Sequence, residues 1–190
     1  MSNKTDPVIV TVITALMTGL VLAVTFVVSV PISAVGQVFD GGDIMIFIAA
    51  WTFGPIVGGI SGGLGSMLSD ALTSAAGYAP FTLVIKGFEG FAAGYLANRF
   101  PSRLKVSWIV ASVIMVGGYF VTNLFLIAFL YGTNSSLNPG VVLSVLEVPF
   151  DIAQVVAGGI IGLPVSRYLR NSLPSLLTRT GALQAPAKSN

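Results

Sequence analysis

The sequence predicts an all-α integral membrane protein: a bundle of six transmembrane helices with both termini cytoplasmic. Three observations predict it. Hydrophobic residues make up 54% of the 190 and charged residues only 8%, against about 25% charged in a soluble domain. Apolar stretches recur at lengths suited to a bilayer. The basic residues gather on one side of the connecting loops.

The spans follow in order. Val8 to Val30 is uncharged, and at about 1.5 Å per residue it crosses a hydrocarbon core of roughly 30 Å. A cleaved leader is the competing reading, with Ile32-Ser33-Ala34 as a loose cleavage site. The run exceeds the roughly 7–15 apolar residues of a leader core, and only Lys4 charges its start. A second, short span covers 42–54 and stops at Phe53-Gly54-Pro55. Pro55 suits the first turn of a third span, 55–76. Tyr78-Ala79-Pro80 breaks the chain before a fourth, 81–100. A basic linker leads into a fifth, 106–131, and a turn-rich stretch into a sixth, 140–169. Residues 1–170 thus form one membrane domain, and 171–190 a polar cytoplasmic tail expected to fray.

Six spans place Lys4, Arg99, Arg103, Lys105, Arg167, Arg170, Arg179 and Lys188 on one side, and Lys86 inside the fourth span. The opposite loops, 31–41, 77–80 and 132–139, carry no basic residue. That asymmetry puts the termini inside. Reading 42–76 as one helix would scatter the basic residues over both sides.

Ionisable groups inside a membrane are costly and mark function by default. Here they are Asp70, Lys86, Glu89, Glu147 and Asp151, with the uncharged Asn123 in the fifth span. All fall in the outer half of the bundle. Lys86 and Glu89 are i, i+3 neighbours, and Glu147 and Asp151 are i, i+4 neighbours. Ser144 and Gln154 extend the second stripe, Ser66 accompanies Asp70, and Tyr119 shares a face with Asn123. Polar stripes on four helices avoid lipid together only by facing a common interior, a pocket open to the outside. The Phe39–Asp43 and Tyr78–Phe81 loops are expected to cap it, with Phe39, Asp43, Tyr78 and Phe81 among the substrate contacts, and Phe39, Trp51, Tyr78, Phe81 and Tyr119 able to stack on a flat ring. The competing reading has Lys86 pairing with Glu89 or Asp70 simply to hold the bundle. Four carboxylates against one ammonium are more than a dry structural network holds, so some must be protonated, hydrated or bound to a donor-rich ligand.

Glycines carry a second pattern. Gly58/Gly62, Gly59/Gly63 and Gly90/Gly94 are small-xxx-small spacings that let helices approach closely. Ala15, Gly19 and Ala23 form a small-residue face on the first span, either packed internally or docking another membrane protein. The chain has no cysteine, no histidine and no G-x-x-x-x-G-K-[ST], G-x-S-x-G or H-E-x-x-H motif. Thiol, imidazole and nucleotide chemistry are therefore excluded. No enzyme activity, cofactor, metal or nucleic-acid partner is expected.

Gly42-Asp43, Phe53-Gly54-Pro55, Ser69-Asp70, Ala79-Pro80-Phe81-Thr82 and Lys86-Gly87-Phe88-Glu89-Gly90 together resemble the substrate-binding S component of energy-coupling factor (ECF) vitamin transporters. The resemblance covers about residues 8–170 and is strongest from Gly42 to Gly90. It is closest to the branch associated with hydroxymethylpyrimidine, pyridoxine-like or riboflavin substrates. It implies a specificity subunit in a bacterial or archaeal cytoplasmic membrane that binds a vitamin or precursor from outside. It implies as partners a transmembrane coupling protein and two ATPase subunits that supply the power. The Ala15, Gly19, Ala23 face resembles the Ala-xxx-Ala docking face of that family, with Gly19 replacing an alanine. An autonomous secondary transporter or channel working through Lys86 and the carboxylates is the alternative.

Overall fold

A computed structural model describes residues 5–32, 38–131 and 139–182. Lys4, Lys188 and most of the loop 132–139 lie outside them. The order is α1 (Pro7–Val27), a hairpin of β1 (Ser29–Pro31) and β2 (Val38–Asp40), α2 (Gly42–Phe53), α3 (Pro55–Ala71), α4 (Ala79–Arg99), a 3-10 turn (Pro101–Arg103), α5 (Leu104–Tyr131), α6 (Pro139–Ser172) and α7 (Pro174–Thr180). Three of these helices, α1, α5 and α6, are long and apolar enough to cross a membrane by length and composition.

Local chemistry sets the boundaries. Asp6 caps α1, its carboxylate accepting from the backbone N–H of Val8 at 3.1 Å and Ile9 at 3.4 Å, while Pro7 supplies a preset φ. Gly54, at φ 93°, ends α2 in a conformation other residues resist, and Pro55 starts α3 at once. The third helix stops at Ala71, five residues earlier than expected. A hydrogen-bonded turn through Leu72 and Thr73 follows, in which Thr73 Oγ1 donates to the Asp70 carbonyl at 3.1 Å.

Two findings depart from the sequence reading. The chain is not wholly α: β1 and β2 pair antiparallel, with Val30 opposite Phe39. The tail does not fray at Asn171. Pro174 begins α7, whose Leu177 and Thr180 are buried, and Asp6 N–H donates to the Arg179 carbonyl at 2.9 Å. Helix α7 has seven residues, about two turns; burying Leu177 contributes about 1.5–3 kcal/mol, alongside the contact with the start of α1, in a segment that composition alone reads as polar.

Apolar side chains cover the outside, among them Val12 and Leu16 on α1, Ile109 and Val113 on α5, and Ile160 on α6. Inside, Phe47 and Trp51 stack with centroids 4.7 Å apart. Trp51 Nε1 donates to Ser107 Oγ at 3.0 Å, and Ser107 donates to the Ala93 carbonyl at 2.6 Å, joining α2, α5 and α4. The closest approach is between α3 and α4. A Cβ on Gly90 would lie 2.2 Å from the Gly58 carbonyl oxygen, and one on Gly63 would lie 2.7 Å from that of Leu83. The spacing predicted close helix contact at these glycines, and it is internal.

Candidate functional site

Six of the seven acidic residues of the chain are buried in one half of the bundle: Asp40, Asp43, Asp70, Glu89, Glu147 and Asp151. They form two layers. The inner layer surrounds Lys86, which is 1% exposed and pairs with Asp43. Its ammonium is also 3.4 Å from Glu89 Oε2 and 5.6 Å from the centre of the Tyr119 ring. Asp43, in the first turn of α2, is thus the nearer partner of Lys86, where the sequence pointed to Glu89 or Asp70.

The outer layer lines a cavity between α3, α4, α5, α6 and β2. Its walls carry Asp40, Asp70, Glu147, Asp151, Tyr78 and Tyr119, with Ser66, Thr82 and Gln154 between them. The cavity volume is about 20 Å³, room for roughly one water molecule. No cation lines it. Lys86 and Glu89 are not among its walls and lie behind Tyr119 and Thr82.

Two hydrogen-bond chains orient its carboxylates. Tyr119 Oη donates to Thr82 Oγ1 at 3.1 Å, and Thr82 donates to Asp70 Oδ2 at 2.5 Å. Tyr78 Oη donates to Asn123 Oδ1 at 2.7 Å, and Asn123 Nδ2 donates to Glu147 Oε2. Asn123 therefore acts from behind Glu147, fixing it, rather than forming the wall. Asp151 Oδ2 and Ser66 Oγ are buried with no hydrogen-bond partner among the described residues. Buried polar atoms left unmatched cost about 1–3 kcal/mol each.

The hairpin supplies what sequence reasoning missed. Strand alternation puts Val38 and Asp40 on the cavity, while Phe39 between them does not line it. Asp40 Oδ1 accepts from the N–H of Gly42 at 2.7 Å, opening α2, and Asp40 N–H donates to Gln154 Oε1 at 3.1 Å. Asp40 was legible only as an acid in a loop, since a two-stranded hairpin this short has no periodicity. Phe81 also departs from expectation. It is 40% exposed on the outer face of α4, because the inward face is set by Thr82, Lys86 and Glu89 at helical spacing.

Burial pushes the Asp40 carboxyl from 3.8 up to about 7; the Lys86 charge opposes the rise and Asp43 adds to it. The native chain therefore keeps this proton at pH values where the unfolded chain has lost it. Stability from Asp40 is full below about pH 4 and is lost as pH rises toward 7, by at most about 4 kcal/mol. Thermal unfolding between pH 5 and 8 should show the wild type losing ground relative to Asp40→Asn, and equal pH slopes would refute the assignment.

On α1 the buried stripe is Ile13, Thr14, Met17, Val21 and Thr25. Ala15, Gly19 and Ala23 all lie on the exposed side, and a Cβ on Gly19 would meet nothing within 4 Å. Among the described residues the small-residue face is left exposed.

Comparison with known proteins matches this architecture. The family model of the ECF-type riboflavin transporter S component matches residues 7–171. An uncharacterized protein of Pyrococcus woesei is 35% identical over 159 residues, which cover 83% of this chain and 99% of that one. The thiamine precursor transporter HmpT of Lactococcus lactis subsp. cremoris is 27% identical over 169 residues, 89% of this chain and 86% of the relative. A solved structure of the S component of a bacterial ECF transporter shares the fold with a TM-score of 0.62 at 22% identity, covering 88% of this chain and 99% of that chain. The resemblance read from Gly42 to Gly90 is to this group, and the chain belongs to the ECF-type riboflavin transporter S component family.

Proposed function

We propose that the chain is the specificity subunit of an ATP-driven importer. It binds a small water-soluble vitamin or precursor from outside in the carboxylate-lined cavity. The observation that carries this reading is a buried wall of four carboxylates with no cation beside them among the described residues. Such a wall, part ionised and part protonated, offers no counter-charge to phosphate or carboxylate ligands and favours a compact ring rich in N–H and O–H groups. Hydroxymethylpyrimidine and pyridoxine-like compounds fit that description, and riboflavin is the larger candidate. The likeness to a thiamine precursor transporter supports the first, and the family model supports the last. Tyr78 and Tyr119 offer ring faces, and Asp70, Glu147 and Asp151 the acceptors. With room for about one water, entry of any ring requires the walls to part. The β1–β2 hairpin and the Leu72–Tyr78 turn, which border the cavity, are the elements that would move.

In this reading six helices cross a bacterial or archaeal cytoplasmic membrane, with both termini inside and the cavity toward the outer surface. The orientation rests on the basic residues of the α4–α5 connection. Single cysteines at Ser102 and Gly77, both exposed, test it with an impermeant thiol reagent on intact cells. Gly77→Cys should label and Ser102→Cys should not, and the reverse would overturn the orientation. A coupling membrane protein and two ATPase subunits complete the importer. Purification in mild detergent from its own host should bring down all three. Isolation of a fully active chain without them would favour the autonomous carrier.

A further inference from the structure

A second cavity, of about 620 Å³, lies at the opposite end of the bundle from the carboxylates. It opens between the C-terminal ends of α4 and α6 and the residues that follow α7. Arg99 and Asn98 line it from α4, and Arg170 and Asn171 from α6. Among the described residues no acidic side chain lines it and neither arginine has a carboxylate in ion-pair range.

The two guanidinium groups are held differently. Arg170 Nη2 donates to the Ala182 carbonyl at 3.2 Å, which fixes the side chain, yet its Nε is buried with no acceptor among the described residues. Arg99 is exposed and lies over the Phe100 ring, 5.4 Å from its centre. Cations at helix C-termini are favourable on their own account. That effect does not explain the convergence of two forked donors from separate helices on one cavity. An oxyanion with several lone pairs answers the convergence, because guanidinium geometry matches phosphate oxygens two at a time.

The outer face of α4 suggests where that phosphate comes from. Phe91, Tyr95 and Arg99 follow at four-residue steps on the exposed side, and the Phe91 and Tyr95 rings stack with centroids 6.2 Å apart. Apolar ring, amphipathic ring and cation in that order mark the passage from hydrocarbon to head group. We propose that this cavity binds a phosphate group, that of an anionic phospholipid whose acyl chains lie along the Phe91 and Tyr95 stripe.

The test is native mass spectrometry of the full chain in detergent, titrated with phosphatidylglycerol, phosphatidylcholine or inorganic phosphate. One phosphatidylglycerol per chain should be retained at least about tenfold better than phosphatidylcholine. Arg99→Gln and Arg170→Gln should each weaken it about fivefold, the usual effect of one basic residue near anionic lipid. Arg103→Gln, exposed at the same end but outside the cavity, should change it less than twofold. If Arg170→Gln fails to fold, the exposed Arg99 carries the comparison. Inorganic phosphate displacing the lipid with the same arginine dependence would keep the phosphate site and overturn its lipid source. Three results would overturn the site itself: equal retention of both lipids with no phosphate binding, an Arg103→Gln loss matching that of Arg99→Gln, or binding that appears only after residues 183–190 are removed, which would make the chain's own tail the occupant.

Discussion

Lys86→Met should destabilise the folded protein by about 3–5 kcal/mol, the cost of removing one partner from a buried ion pair. Lys86 is 1% exposed and is held between Asp43 and Glu89, which are 1% and 0% exposed. Without the ammonium those two carboxylates face each other with no counter-charge, and Asp43 Oδ2 and Glu89 Oε1 already lack hydrogen-bond partners among the described residues. The double variant Lys86→Met with Asp43→Asn should recover part of the loss, because the uncompensated charge is then removed as well. Since Lys86 is not a wall of the cavity, the double variant should retain ligand affinity within about tenfold once refolded. Thermal unfolding in detergent measures the first effect and ligand titration the second. A Lys86→Met protein as stable as wild type would show that the inner layer is already neutral. A complete loss of affinity in the stable double variant would place the ammonium on the ligand.

The second large effect belongs to α1. Gly19→Trp or Ala15→Trp should abolish uptake while leaving ligand affinity of the isolated chain within about threefold, the size of an ordinary 0.6 kcal/mol context effect. The three small residues are exposed, and a Cβ on Gly19 would meet nothing within 4 Å among the described residues. In lipid, a flat small-residue face draws a partner helix close through van der Waals contact rather than hydrophobicity. A tryptophan there holds the partner off without touching the cavity, whose walls come from β2 and α3 to α6 and the Leu72–Tyr78 turn. The paired measurement is pull-down of the coupling subunit and ligand titration on one preparation. A Gly19→Trp variant that assembles and transports normally would remove α1 as the docking face.

Much of this arrangement was legible in the sequence, and the reasons are physical. Charges in a membrane helix have few places to go, so Asp70, Glu147 and Asp151 could be assigned to a common interior from helical spacing alone. Glycine pairs at four-residue spacing announced close helix contacts, though not that α3 and α4 share them, because backbones approach that closely only when side chains are absent. The depth of each residue within that interior was not legible. Whether Lys86 and Glu89 face the cavity or stand behind it depends on the rotation of α4 against α5, and Tyr119 and Thr82 fill the space in front of them. Phe81 was misplaced for a related reason: one residue along a helix turns a side chain by about 100°, from wall to lipid. The hairpin and α7 were invisible to periodicity. Three-residue strands are too short to alternate visibly, and α7 is held by the burial of Leu177 and by backbone contact with the start of α1.

The central claim is that the four-carboxylate cavity receives a donor-rich vitamin or precursor. The most direct measurement is calorimetric titration of the purified chain with hydroxymethylpyrimidine, pyridoxine and riboflavin, repeated with Asp151→Asn and Glu147→Gln. One of the three compounds should bind the wild type at one per chain, and each substitution should weaken that binding about 5–150-fold, the equivalent of one lost hydrogen bond of about 1–3 kcal/mol. Saturable binding that both folded variants retain at full strength would contradict the account, as would failure of all three compounds to bind a folded wild-type chain.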